Sequence, residues 1–158
     1  MILLAAPAPA AASHRGDLWA TVNICDTVDY PDTIGIRASM PGNRRRPRQR
    51  MYVRFGVQWF SREAQRWHNL AGGRSDWIKM GSARFKSRQD GYSFVLDPPL
   101  GSSFVLRGVV HFKWRDRRHR DGKVRWVTVR KRRENTRGGH PSESGDPPGY
   151  SNGLCEVL

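Results

Sequence analysis

The chain has only two cysteines in 158 residues, Cys25 and Cys155, and no other sulfur except methionine. They form no CxxC and no histidine cluster accompanies them, which argues against a zinc site. Lysine is also scarce: Lys79, Lys86, Lys113, Lys123 and Lys131 are the only ones among 28 basic residues, against 14 acidic ones. No apolar run approaches the ~20 residues needed for a helical membrane span. Gly-rich phosphate loops, HExxH and EF-hand signatures are missing. The histidines, His14, His68, His111, His119 and His140, are scattered, and none pairs with a Ser or Cys in a nucleophile motif. Nothing in the residues calls for a cofactor or a metal. Hydrophobic residues make up 37% and mean hydropathy is −0.69, but six Trp, six Phe and four Tyr supply large buried areas for a core.

The most prominent bulk property is charge, a formal +14 with a pI near 11.1. Such a field attracts polyanions: nucleic acid, anionic headgroups, or phosphate- and carboxylate-bearing wall polymers. Arginine-rich, lysine-poor composition with much Ala, Gly and Pro is also what a GC-rich genome produces without selection for binding. The first residues, Met1–Ala12, are apolar and alanine-rich. They read as the remnant of a truncated signal peptide, with small residues before a cleavage point near Ser13. The other reading is an Ala/Pro terminus of a cytosolic protein. Two cysteines agree with export and with one structural disulfide joining the first folded segment to the last. The expected organisation is therefore a signal remnant at 1–12 and a single domain over 13–158, extracellular or associated with the cell envelope. Oligomeric state is left open.

Residues of the folded part alternate with period two. Leu18–Cys25 and Thr33–Ser39 read as strands, and Met51–Ser61 is the clearest, with Met51, Val53, Phe55, Val57 and Trp59 on one face. Trp59 takes the place of the core tryptophan of a sandwich. Arg62–Gly73 is expected to hold one helical turn around Glu63–Leu70. Trp77–Gly81 and Gly91–Leu96 are short strands. In Ser103–Arg115, Phe104, Leu106, Val110, Phe112 and Trp114 share a face with Gly108 between them, while Val105, Arg107, Val109, His111 and Lys113 share the other. Asp116–Gly122 reads as a hairpin loop ending in the turn dipeptide Asp-Gly, Lys123–Arg132 as its returning strand, residues 134–153 as a long irregular segment, and Leu154–Leu158 as a terminal strand. The sum is an all-β fold, an immunoglobulin-like antiparallel β-sandwich of seven to eight strands with at most one short helix; a closed barrel is the alternative.

Three features bear on function. The Cys25–Cys155 pair is expected to be a structural disulfide. The basic, aromatic hairpin offers Arg117, Arg118, Arg120, Arg130, Arg132 and Arg133 as phosphate contacts, with Trp126 as a stacking platform; the competing reading is a solvated, charged hairpin. The run Arg44, Arg45, Arg46, Arg48 and Arg50 reads as a solvated loop, a second anionic contact or a proteolytic site. The expected function is a secreted, noncatalytic domain binding anionic polymers at the cell envelope. The alternatives are a nucleic-acid-binding protein using the hairpin, and a small hydrolase around His140 and Asp146.

Taken in order, LWATVNICDT, MYVRFGVQWF, RQDGYSFVLDPP, SFVLRGVVHFKW and GHPSESGDPPGYSNGLC make the chain resemble a group of uncharacterised secreted actinobacterial proteins. The resemblance runs from about Leu18 onward. It implies a secreted immunoglobulin-like or fibronectin-type-III-like sandwich and carries over no site residues. The cysteine placement departs from an immunoglobulin domain, where the pair joins two central strands.

Overall fold

In the computed structural model, which describes residues 17–157, nine strands follow one another: β1 (Trp19–Cys25), β2 (Thr33–Pro41), β3 (Arg50–Ser61), β4 (Arg66–Arg74), β5 (Ile78–Ser82), β6 (Ser87–Val95), β7 (Phe104–Arg120), β8 (Lys123–Asn135) and β9 (Leu154–Val157). They form two antiparallel sheets. The smaller has the order β1-β2-β6; the larger runs β4-β3-β7-β8, with β5 also paired to β3 and β9 to β7. No helix occurs among the described residues. The expected signal remnant, Met1–Ala12, lies outside them.

The alternation seen in the sequence builds the core. Met51, Val53, Phe55 and Val57 of β3 and Leu106, Val110, Phe112 and Trp114 of β7 turn toward Val22, Ile34, Ile36 and Met40 of the smaller sheet, all of them buried. The close approach is at Gly108, where a Cβ would lie 2.5 Å from Thr136 Cγ2 and 2.8 Å from Ile36 Cδ1. Only a residue without a side chain leaves room for both.

Three expectations need correction. Trp114, not Trp59, is the fully buried tryptophan, at 1% exposure. Its indole N–H donates to the Pro41 carbonyl at 3.0 Å, satisfying the one polar group such a ring brings into a core. Trp59 lies near the end of β3, half-buried, and stacks on His68 at 5.0 Å. The expected helical turn within Arg62–Gly73 is instead a tight turn followed by β4. Ser61 Oγ accepts from the Ala64 N–H at 3.1 Å, and Gln65 takes a positive φ of 50°. That reverses the chain, so Trp67 and His68 pair with Phe60 and Trp59. Cross-strand aromatic contacts outweigh a weak helical preference there.

The β7–β8 hairpin is longer than the sequence suggests. Asp116–Arg120 continues the strand instead of forming a loop, and only Asp121 and Gly122, with φ of 51° and 68°, make the turn. Positive φ at both central residues is what an Asp-Gly hairpin turn requires.

Cys25 of the smaller sheet and Cys155 on β9 of the larger sheet form a disulfide, with Cα atoms 5.4 Å apart. It therefore ties the two sheets together as well as the two ends of the described chain. Between β8 and β9, residues 136–153 run along the free edge of β1. Val22 and Asn152 exchange N–H···O bonds of 2.9 and 3.0 Å, Arg137 N–H reaches the Ala20 carbonyl, and Asp146 N–H reaches that of Asn23. The irregular segment thus occupies a sheet edge that would otherwise expose unpaired backbone groups.

Candidate functional site

The alternation that sends apolar residues of β3 and β7 into the core sends the intervening ones to the outer face of the larger sheet. Cross-strand registers there bring like charges together. Arg50 lies opposite Arg115. Tyr52 lies opposite Lys113, which lies opposite Lys131. Arg54 lies opposite His111, which lies opposite Arg133. Gln58 lies opposite Arg107, and Arg117 opposite Trp126. No carboxylate occupies any of these positions. The three ion pairs among the described residues, Arg46–Asp116, Lys86–Asp17 and Arg120–Asp121, use none of these cations. Like charges directly opposite one another on a sheet destabilise it.

Aromatic rings hold the cations in place. Arg50 sits over Trp126 at 3.7 Å, Arg107 over Trp67 at 4.2 Å, and Lys113 and Arg54 over Trp77 at 3.7 and 4.7 Å. Such contacts stabilise a cation without neutralising it. Arg107 also donates from Nε and Nη2 to Gln58 Oε1, at 3.0 and 2.9 Å. The Nε groups of Arg54 and Arg115 are buried and find no partner among the described residues.

The ionisation of the face follows from this crowding. Burial, then Arg115, Arg54 and Lys131, holds the Lys113 ammonium below its ordinary value. Burial, then Arg54, Arg133 and Arg74, pushes His111 down. Burial and Arg133 do the same to Arg107. In each case neighbouring positive charge disfavours the protonated form.

A hollow of about 460 Å³ opens on this face over Gly56, where β3 has no side chain and its pairing with β4 slips between Gly56 and Gln58. Arg54, Arg74 and His111 line it, along with Gln58 and Asn69. Cationic and amide donors around a recess suit an oxyanion.

The residues singled out from the hairpin separate. Arg117, Trp126 and Arg133 belong to the outer face. Arg130 and Arg132 lie opposite Trp114 and Phe112, on the other side of the sheet, and Arg130 rests over the Trp114 ring at 4.5 Å. Arg118 and Arg120 are exposed near the hairpin tip, opposite Arg125 and Lys123. Of the run before β3, Arg50 joins the outer face, while Arg46 pairs with Asp116 at 2.6 Å. Arg54, Arg74 and Trp77 were missed as site residues, because they come from segments separate from the hairpin. The usable signal was present in the alternate positions of the two longest strands.

His140 and Asp146 are held apart by different partners. His140 stacks on Trp19 at 4.3 Å, and its carbonyl accepts from Arg37 at 2.7 Å. The Asp146 carboxylate accepts a hydrogen bond from the Thr27 hydroxyl.

Fold and site together define a disulfide-linked, two-sheet β protein with one cationic, aromatic face. No protein-family model, curated protein or solved structure matches the chain.

Proposed function

We propose that the protein is a noncatalytic binding domain, acting outside the cytoplasm, that holds an anionic polymer of the cell envelope along the outer face of its larger sheet. One observation carries the reading: rows of unpaired, mutually repelling cations on one face, around a hollow lined by Arg54, Arg74 and His111. Anionic groups spaced along a polymer would relieve that repulsion at several points at once. The inter-sheet disulfide supports a location where thiols oxidise. The separate engagement of His140 and Asp146 supports a noncatalytic role.

Binding of nucleic acid by base stacking is the weaker reading. Trp77, Trp126 and Trp67 each already carry a cation on one face, which leaves a base at most the other face of each ring. The arrangement suits contacts to backbone anions.

The test is calorimetric titration with long-chain inorganic polyphosphate, and with dextran as a neutral polymer, over a range of NaCl concentrations. Polyphosphate is expected to bind with an affinity that falls steeply with salt, and Lys113→Gln/Arg133→Gln to weaken it at least tenfold with a shallower salt slope. Equal binding of dextran, or affinity indifferent to salt, would overturn the proposal.

A further inference from the structure

A second recess lies on the other side of β8, away from the outer face. It is a groove of about 700 Å³ between β8 and the start of β1, with Ala20 and Pro41 among its lining residues. Strand alternation is again its origin: β8 turns Lys131 and Arg133 outward with Lys113 and His111, and presents Arg130, Arg132 and Glu134 to the core side, opposite Trp114, Phe112 and Val110. The smaller sheet does not cover this part of β8, so the core side is left as an open groove. Arg137, at the start of the segment that follows β8, adds a third guanidinium.

The facing wall is a stacked pair. Trp19 and His140 lie with ring centroids 4.3 Å apart and planes 8° from parallel. Arg37 secures the pair, donating to the His140 carbonyl at 2.7 Å while its guanidinium sits 4.9 Å from the Trp19 ring. Ser151 Oγ accepts from the His140 N–H at 2.9 Å. The aromatic wall is therefore set before any ligand arrives, which lowers the ordering cost of binding.

The polar groups of the groove point to a mixed ligand. Arg130, Arg132 and Arg137 have no ion-pair partner among the described residues, and neither has Glu134; Asp17, the other acid in the lining, faces Lys86 at 3.9 Å. Burial and the nearby Arg132 both disfavour the charge on Arg130. A bare oxyanion would satisfy the guanidiniums but meet repulsion from Glu134. A neutral sugar would suit Glu134 and the rings but leave three arginines without a counter-charge. A molecule with a carboxylate for the arginines, hydroxyls to donate to Glu134, and apolar C–H groups to pack against the exposed part of the aromatic wall satisfies all three. We infer that this groove binds an acidic carbohydrate, a sugar unit carrying a carboxylate. The groove is separate from the cationic outer face, and its occupancy does not depend on polymer binding there.

The probe is trigalacturonate, titrated by calorimetry and by NMR observation of the Trp19 indole N–H, assigned by its loss in Trp19→Phe. Binding is expected to shift that signal. Arg132→Ala/Arg137→Ala, two exposed positions, is expected to weaken affinity at least tenfold with an unchanged melting temperature. The outer-face pair Lys113→Gln/Arg133→Gln should change it less than twofold. Glu134→Gln separates a sugar from a simple anion: exchanging a charge-assisted hydroxyl acceptor for a neutral amide oxygen weakens trigalacturonate binding about three- to tenfold, whereas an anion would bind more tightly once the negative charge is gone. Tighter binding in Glu134→Gln, an unmoved Trp19 signal, equal affinity for the neutral galactose trimer, or equal loss in the outer-face pair would each overturn the assignment.

Discussion

On β3 and β7 successive side chains go to opposite faces of one sheet. Toward the core go Met51, Val53, Phe55, Val110, Phe112 and Trp114, each at 1% exposure or less. Toward the outside go Arg50, Tyr52, Arg54, Arg107, His111 and Lys113. The inner residues satisfy one another: apolar contacts are complete, and the single indole N–H has its carbonyl. The outer residues do so less fully: Arg50 faces Arg115 and Lys113 faces Lys131, with no acid opposite any of these cations. Identical backbone hydrogen bonding supports both faces. A sheet held together from within can thus carry an outer face on which like charges stand opposite one another.

The comparison breaks most severely if the inner face opens. Cys25→Ser/Cys155→Ser, or reduction, frees two sheets joined across a sequence separation of 130. In the chain-entropy model a loop of that size is worth about 4–5 kcal/mol, and chemical denaturation with and without dithiothreitol should show a loss of that order. Phe112→Ala, in the same assay, should cost about 3–5 kcal/mol through transfer and cavity terms. Gly108→Ala forces a methyl group against Thr136 and Ile36 and should cost about 1–3 kcal/mol.

Proton linkage gives a smaller effect and sharpens the contrast. The His111 pKa is lowered by folding, so in the range below the unfolded value the unfolded state binds more protons. Stability should therefore decline as pH falls through about 6.5 and level off below the folded value. His140 is lowered too, by burial and Arg37, and contributes with the same sign. Melting curves between pH 8 and 5 should show this decline, and His111→Gln should reduce it. An unchanged pH profile in that variant would mean the outer face does not act on His111. The smallest effect is expected at the hairpin tip, where Arg118→Ala and Arg120→Ala should stay within about 0.5 kcal/mol of the parent.

Alternation made much of this legible in the sequence. The inner and outer sets of β3 and β7 could be listed residue by residue, and the Asp121-Gly122 turn was recognisable from its dipeptide. The disulfide was legible as a pairing, although its linking of two sheets is a matter of topology. Trp59 and Trp114 have the same local pattern. What separates them is long-range surroundings: Trp114 is buried with its N–H on the Pro41 carbonyl, whereas Trp59 lines an open recess with Leu70, Phe94 and Phe104. Asp116–Arg120 looks like a loop because charged residues are poor strand formers, yet pairing with Lys123–Val127 keeps it extended. The candidate site was the least legible part. A contiguous basic hairpin attracts notice, but strand alternation divides it: Arg117 and Arg133 go to one face, Arg130 and Arg132 to the other. The cations that do converge are contributed by β3, β4, β7 and β8 together.

The central claim is that the outer face is cationic against its own stability, and salt tests it directly. Melting temperature should be followed from 10 to 300 mM NaCl for the parent, for Lys113→Gln/Arg133→Gln, and for Arg118→Gln/Arg120→Gln, two pairs that remove the same charge from different places. Salt is expected to stabilise the parent by screening repulsion. The outer-face pair is expected to melt higher at low salt and to respond less to added salt, while the tip pair follows the parent. Equal behaviour of the two pairs, or a parent indifferent to salt, would contradict the claim.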